Sequence, residues 1–123
     1  MEHTSIQVAR FVLGGSWIYH GLFPKLLTVA PIEKAMTATI GLSEQYSLFL
    51  TRSVGVAEVI FGLLIIVYYR HASLLLVNIV LLVLLVLFVA IQMPALLIEA
   101  FNPVTTNLAL IGLSYVLIRA SDA

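Results

Sequence analysis

The sequence predicts an all-α membrane protein, a four-transmembrane-helix bundle with a short interfacial helix in the first loop. Three observations indicate this class. Of the 123 residues, 62% are hydrophobic and only 10% are charged, which is far from the composition of an average soluble domain. Four mostly apolar stretches are of the length that crosses a bilayer, roughly 17 to 25 residues. Proline and glycine separate these stretches, and no domain boundary is visible, so residues 1–123 form a single domain.

The four predicted spans follow one another along the chain. They cover Ile6 to Phe23, Ser53 to Tyr69, Leu74 to Met93, and Val104 to Ile118. The third is the clearest, because Asn78 alone interrupts its apolar run. The fourth is the shortest, which leaves three spans as the alternative count. The first lacks a basic leading segment and a small-residue cleavage site, so we expect it to remain as a helix and not to be cleaved as a signal.

The first loop has helix signals of its own. The segment PIEKAMTATIG predicts a short interfacial helix from Pro31 to Ile40, with proline at its first position and Gly41 as its stop. Ser43 is suited to cap a helix that runs through EQYSLFL into the second span. That helix would be longer than the membrane is thick.

The later connections are short, and they define the topology. Arg70 and His71 form a tight turn before the third span, Pro94 ends that span, and Asn102 caps the fourth. Four spans place both termini on the side of this turn. Lysine and arginine are balanced between the two sides, so the positive-inside rule favours neither orientation. Compact juxtamembrane charges at Arg70 and Arg119 favour cytoplasmic termini. The balanced residues are Arg10, Arg70 and Arg119 against Lys25, Lys34 and Arg52.

Strongly polar side chains collect in the half of the bundle nearest the first loop, and Glu58 is the most demanding of them. It lies about 9 Å of helix rise beyond Arg52. An isolated charge near the bilayer centre costs at least about 2.5 kcal/mol, so Glu58 needs a partner or a proton. The candidate residues for ligand binding or proton relay are Trp17, His20, Lys25, Arg52, Glu58, Gln92, Asn102 and Asn107.

Two stripes of small residues predict close packing of the first and second spans. They are Gly14, Trp17 and Gly21 on one span and Gly55, Glu58 and Gly62 on the other. Such packing would bring His20 toward Glu58. We therefore expect a cluster in which His20 and Lys25 form the basic side and Glu58 the acidic side, completed by Asn102 or Asn107.

Simpler roles remain open for the same residues. His20 and Lys25 also suit the membrane interface, where a lysine reaches toward the headgroups, and Trp17 suits an aromatic belt. Asn102 fits a helix cap, whereas Gln92 and Asn107 fit hydrogen bonds between helices. Glu58 requires a partner under either interpretation.

Several chemistries lack their sequence signatures. Six basic and six acidic residues cancel, so no charged arm indicates nucleic-acid binding. The absence of cysteine excludes a thiolate metal site and dithiol redox chemistry. The three histidines lie at different predicted depths without a metal-binding spacing, and no nucleotide-binding or nucleophile motif occurs. We expect no metal, no intrinsic cofactor and no autonomous enzyme activity.

Three motifs in order resemble the DoxX-like family, within the DoxX superfamily of small four-helix membrane proteins. They are HGLFPK at the end of the first span, GVAEVIFG in the second and FNPVTTNLALIG opening the fourth. The resemblance covers nearly the whole chain. It implies a multi-pass protein of the bacterial cytoplasmic membrane, in a family with some members associated with quinone-linked oxidoreductases. The chain departs from the family at Thr106, where many members have a basic residue, which weakens the transfer of an anion-binding role.

Three function classes follow. The first is a membrane subunit of a redox complex, in which His20 or Lys25 donates to a quinone carbonyl, Glu58 relays a proton and Trp17 packs on the ring. The second is a non-catalytic scaffold subunit. The third is a small proton- or ion-coupled transporter, which would need oligomers to form a pore. The partners expected are membrane lipids and other membrane or redox subunits, or further copies of the chain.

Overall fold

The computed structural model describes residues 3–122, with side chains as far as residue 120. These residues form helices and contain no strand. The α-helices are α1 (His3–Gly21), α2 (Pro31–Ala38), α3 (Glu44–Val67), α4 (Ala72–Gln92) and α5 (Pro103–Asp122). A π-helical segment, Leu22–Leu27, continues α1, and a 3₁₀ segment, Pro94–Ile98, follows α4. The expectation of an all-helical chain is confirmed.

The predicted caps and stops are present at the helix ends. Ser43 Oγ accepts a hydrogen bond from the Tyr46 backbone N–H at 3.5 Å, so α3 begins at Glu44 and is as long as expected. Asn102 Oδ1 accepts from the Thr105 N–H at 3.0 Å and caps α5. Gly41 follows α2 with φ of 79°, a conformation that glycine adopts without strain.

The π-helical segment has a local cause in Pro24. Proline has no backbone N–H and its ring clashes with the carbonyl one turn earlier, so a regular α-helix cannot continue through it. The hydrogen bonds widen accordingly, with the Thr28 N–H donating to the Phe23 carbonyl at 3.3 Å. The widened turn carries Lys25 at the end of α1. Single π-helical turns of this kind are frequent at functional sites.

Helices α1 and α3 pack antiparallel with their backbones in close contact at two glycine pairs. Gly14 lies against Gly62, and Gly21 lies against Gly55. A Cβ atom added at Gly14 would be 2.7 Å from the Gly62 carbonyl oxygen, and one added at Gly55 would be 2.9 Å from the Gly21 carbonyl oxygen. Both distances are below those of real Cβ contacts, so the predicted small-residue faces are confirmed as the packing faces.

Helices α4 and α5 form a second antiparallel pair that is tied to α1 through Asn78. The Trp17 indole N–H donates to Asn78 Oδ1 at 2.6 Å, and the Asn78 amide donates to Ser114 Oγ. The Asn107 amide donates to the Leu82 carbonyl at 3.0 Å, confirming the expected interhelical bond. The apolar core around these bonds comprises Ala9, Leu13, Trp17, Ile65, Leu75, Leu82, Leu110 and Leu117.

Three helices in the described chain are long and apolar enough to cross a membrane. They are α3, α4 and the Pro103–Ala120 part of α5. Large apolar side chains on their outer faces, such as Leu84 and Ile91 on α4, are exposed and suit contact with lipid. Helix α1 has 19 residues but is more polar, with Arg10 in its first half and His20 in its last turn.

The glycine contacts generate a test with a neighbouring control. Gly14→Ala should lower the free energy of unfolding by about 1–3 kcal/mol, because the new methyl group overpacks against the α3 backbone. Gly15 has no atom within 4 Å of its would-be Cβ. Gly15→Ala should therefore be neutral or stabilise the helix by up to about 1 kcal/mol. Thermal unfolding in detergent measures both, and equal effects would contradict the packing of α1 on α3.

Candidate functional site

A cluster of charged side chains lies where α1 ends against α3. The Gly21 and Gly55 contact holds the two backbones together at this end, and the Lys25 Cβ atom lies beside Gly55. Helix α2 covers the same region and is fixed to α3 by a hydrogen bond between the Thr37 and Ser47 hydroxyls. The first loop thereby brings a third element over the end of the helix pair.

The Lys25 ammonium is the centre of this cluster. Its Nζ atom is 3.0 Å from Glu33 Oε1 and 3.1 Å from Glu58 Oε1. It also donates to the His20 backbone carbonyl at 3.4 Å. An ammonium has three donors, and here they meet three acceptors from α1, α2 and α3. We call Lys25, Glu33 and Glu58 the lysine cluster.

The lysine cluster is largely shielded and carries unequal charge. Side-chain exposure is 12% for Lys25, 13% for Glu33 and 10% for Glu58. One ammonium faces two carboxylates, so the cluster is negative when all three groups are ionised. Lys25 satisfies the requirement of Glu58 for a partner, because an opposite charge within hydrogen-bonding distance replaces water.

The structure brings some of the candidate residues together and separates others. Lys25 meets Glu58 as expected, but His20 does not supply the basic side chain predicted for it. Its backbone carbonyl accepts from Lys25, and its side chain is exposed. Arg52 and Gln92 are exposed at helix positions outside the cluster. Asn102 and Asn107 do not complete the cluster as expected, because their amides bond to the Glu99 and Leu82 carbonyls.

Trp17 has a packing role in the structure. It is buried, donates to Asn78 and meets the Phe61 ring edge-on with centroids 5.0 Å apart. Its indole is therefore committed to the contact between α1, α3 and α4. Asn78, treated above as an interruption of an apolar run, provides the acceptor. Its position in an otherwise apolar predicted span was the signal available in the sequence, since a polar side chain there needs a partner on another helix.

Glu33 is a member of the cluster that the sequence did not single out. It lies in the first turn of α2, where an acidic residue is ordinary. Nothing in the spacing of the chain indicates that α2 folds over the end of α1. The separation of eight residues between Lys25 and Glu33 crosses the π-helical segment and a non-helical linker, so no helical periodicity relates them.

The cluster has the chemistry of a hydrogen-bonding or proton-handling site. Residues 3–120 contain no group of three histidine, aspartate or glutamate side chains placed to bind a metal. The exposed His20 imidazole beside the cluster can donate or accept a hydrogen bond. The ion pair with Lys25 would be lost if Glu58 took up a proton.

The helices and the shielded ion cluster define a small, all-helical membrane protein. A model of the DoxX-like family matches residues 14–115. Because this match covers most of the chain, the protein belongs to the DoxX-like family, and the matched region includes the whole lysine cluster. No curated protein and no solved structure matches the chain significantly.

We expect substitutions in the lysine cluster to lower the free energy of unfolding by unequal amounts. Lys25→Met should lower the free energy of unfolding by about 3 kcal/mol, because it leaves two carboxylates facing each other without a cation. Adding Glu33→Gln to Lys25→Met should restore part of that loss, since one stranded charge is removed. Thermal unfolding in detergent measures each step.

Lys34→Met is the matched control, because Lys34 is an exposed lysine on α2 outside the cluster. We expect a change within about 0.5 kcal/mol for this variant, as for most surface substitutions. Equal losses in the two lysine variants, or no recovery in the double variant, would show that the ion pairs do not stabilise the fold.

Proposed function

We propose that the chain is a four-span protein of the bacterial cytoplasmic membrane that acts as a membrane subunit of a quinone-linked redox complex. In this proposal the lysine cluster adjoins a site for the polar headgroup of a quinone or lipid. The observation that carries the proposal is the shielded ion pair of Lys25 with Glu58 where α1 ends against α3. Helix α3 is long and apolar enough to cross a membrane, and α1 packs against it.

The four-span topology is supported by the pairing of α1. This helix runs antiparallel to α3 along most of its length, and 19 residues rise about 28 Å, close to the hydrocarbon thickness. The start of α1, the turn after α3 and the end of α5 lie together, because Ile6, Tyr69 and Leu117 line one small cavity. We refer to this part of the bundle as the terminal end, and we expect it to face the cytoplasm.

The topology can be tested with single cysteines, because the chain has none of its own. Cysteine at Ser5 should be labelled by an impermeant thiol reagent from one side of the membrane, and cysteine at Thr39 from the other. Both positions are exposed. Cysteine at Ala100, in the connection between α4 and α5, is the control that should behave like Thr39. Labelling of Ser5 and Thr39 from the same side would exclude a spanning α1.

Within the proposed headgroup site, the contacts of Lys25 and Trp17 support roles that differ from those expected from the sequence. All three donors of Lys25 have protein acceptors, so Lys25 positions Glu58 and leaves donation to a quinone carbonyl to the exposed His20 imidazole. Glu58 would accept or supply the accompanying proton. Trp17 belongs to helix packing, because its indole is buried against Phe61 and Asn78.

A scaffold subunit is the second candidate, and the same saturation of Lys25 favours it. A cluster with its donors satisfied inside the chain is sufficient to fix α1, α2 and α3 relative to one another. The exposed apolar faces of α4 would then meet a protein partner or lipid. This function needs no ligand at the cluster and no proton exchange at Glu58.

One variant separates the two functions. Glu58→Gln keeps the shape of the side chain and one hydrogen bond from Lys25, so the protein should still fold. If Glu58 handles protons, quinone reduction by the complex purified with this subunit from native membranes should fall by about 10²-fold or more, the usual scale for general acid–base groups.

The control is Glu44→Gln, which removes an exposed carboxylate from the same helix. It should leave quinone reduction unchanged. A folded Glu58→Gln complex with full activity, and a purified subunit that carries no quinone, would contradict the redox proposal and leave the scaffold function.

A further inference from the structure

The terminal end of the bundle differs in charge from the end that holds the lysine cluster. Arg10, Arg70 and Arg119 lie at the terminal end, and no acidic side chain that the structure describes accompanies them. At the other end, three basic side chains accompany four acidic ones. These are Lys25, Lys34 and Arg52 with Glu33, Glu44, Glu58 and Glu99. In the full sequence, Glu2 and Asp122 also belong to the terminal segments, so the terminal end has three basic and two acidic residues and an excess of one positive charge.

Arg10 is the unusual residue of the terminal end. Its guanidinium carbon is 4.3 Å from the centroid of the Tyr69 ring and 4.7 Å from that of Phe11. The Nε atom is buried and has no hydrogen-bond partner. Leaving a charged donor buried without an acceptor is costly. No carboxylate among the described side chains pairs with Arg10, so its charge is met there by the two aromatic rings.

Arg70 brings a second guanidinium to the same aromatic ring. Its carbon is 5.4 Å from the Tyr69 centroid, and its Nε donates to the Tyr69 hydroxyl at 3.2 Å. This hydrogen bond lowers the pKa of the Tyr69 phenol, in the turn beyond α3, and the charges of both arginines act in the same direction. Tyr69 thus contacts the guanidinium groups of both arginines.

Arg10 lies at a depth from which its side chain can reach a lipid headgroup. Arg10 lies about 6 Å of helix rise after Ile6, the first residue of the predicted span. A long arginine side chain at that depth reaches the interface while its stem stays among apolar groups. The cavity beside Tyr69, Arg70 and Leu117 has a volume of about 10 Å³. It is large enough for no more than a water molecule, so a ligand would bind at its open side.

We propose that Arg10 and Arg70 bind a phosphate group at the terminal end, supplied by a membrane phospholipid or by free phosphate. Guanidinium groups match phosphate oxygens with paired, charge-assisted hydrogen bonds. A phosphate placed here would accept from the outer guanidinium nitrogens of the two arginines and offset their charge, whereas the buried Arg10 Nε stays out of its reach. The site lies at the opposite end from the lysine cluster and does not depend on the proposed redox function.

The experiment uses the full-length protein, delipidated in detergent, and native mass spectrometry. The probes are dioctanoyl phosphatidylglycerol and a phosphate-free glucosyl dioctanoylglycerol with the same acyl chains. We expect the phosphatidylglycerol to bind in preference to the glycolipid. Arg10→Gln and Arg70→Gln should each weaken this binding by about tenfold, the equivalent of one charge-assisted hydrogen bond.

Arg119→Gln is the matched control. It removes the same charge from the same end, at an exposed position for which the structure shows no contact with Tyr69. It should change the affinity by less than about twofold, as expected for a solvent-screened charge. Arg70→Gln keeps the test decisive if Arg10→Gln does not fold, because Arg70 is exposed.

Inorganic phosphate distinguishes the two sources. If it displaces the lipid at millimolar concentration, the site is one for free phosphate; if it does not, the lipid headgroup is the ligand. Equal weakening by all three arginine variants would overturn the proposal, since it would reflect surface charge alone. Equal binding of the glycolipid and the phosphatidylglycerol would overturn it as well.

Discussion

The structure depends on the contact between the backbones of α1 and α3. At Gly14 with Gly62 and at Gly21 with Gly55 there is no room for a side chain between the helices. In a membrane, lipid tails are as apolar as the helices, so van der Waals packing of this kind is a principal source of association. Because the second glycine pair lies directly beside Lys25, the same contact also determines where the ammonium meets α3.

The polar groups inside the bundle are consequences of this packing, and they contribute to it unequally. Hydrogen bonds between membrane helices are worth on average only about 0.6 kcal/mol. The Trp17, Asn78 and Ser114 network therefore specifies the register of α1, α4 and α5 more than it stabilises them. Removing the Lys25 ammonium would cost more stability than the intact lysine cluster contributes, because two shielded carboxylates would be left without a cation and with little water. Both features fix the arrangement of the helices, and the glycine contacts make it compact.

Local signals in the sequence were sufficient for the elements and for the main ion pair. Proline, glycine and capping residues located the helices to within a few residues, and Ser43 correctly predicted that α3 begins before the second span. Depth and the glycine stripes predicted the approach of Lys25 to Glu58. The contribution of Glu33 was not predictable, since it depends on how a non-helical linker folds back. The amides of Asn102 and Asn107 were drawn to nearer carbonyls, which depth alone does not reveal.

The two ends of the bundle consequently face different chemical demands. At the lysine cluster, acceptors from three elements satisfy Lys25, so an external group would meet the exposed His20 or the remaining acceptor sites of the carboxylates. In the redox proposal, the group that binds there is the neutral polar headgroup of a quinone. At the terminal end, Arg10 is buried in part and lacks an acceptor within the described side chains. Two aromatic rings contact this guanidinium, and in our proposal a phosphate from the membrane surface or from solution would supply the anion that the described side chains do not.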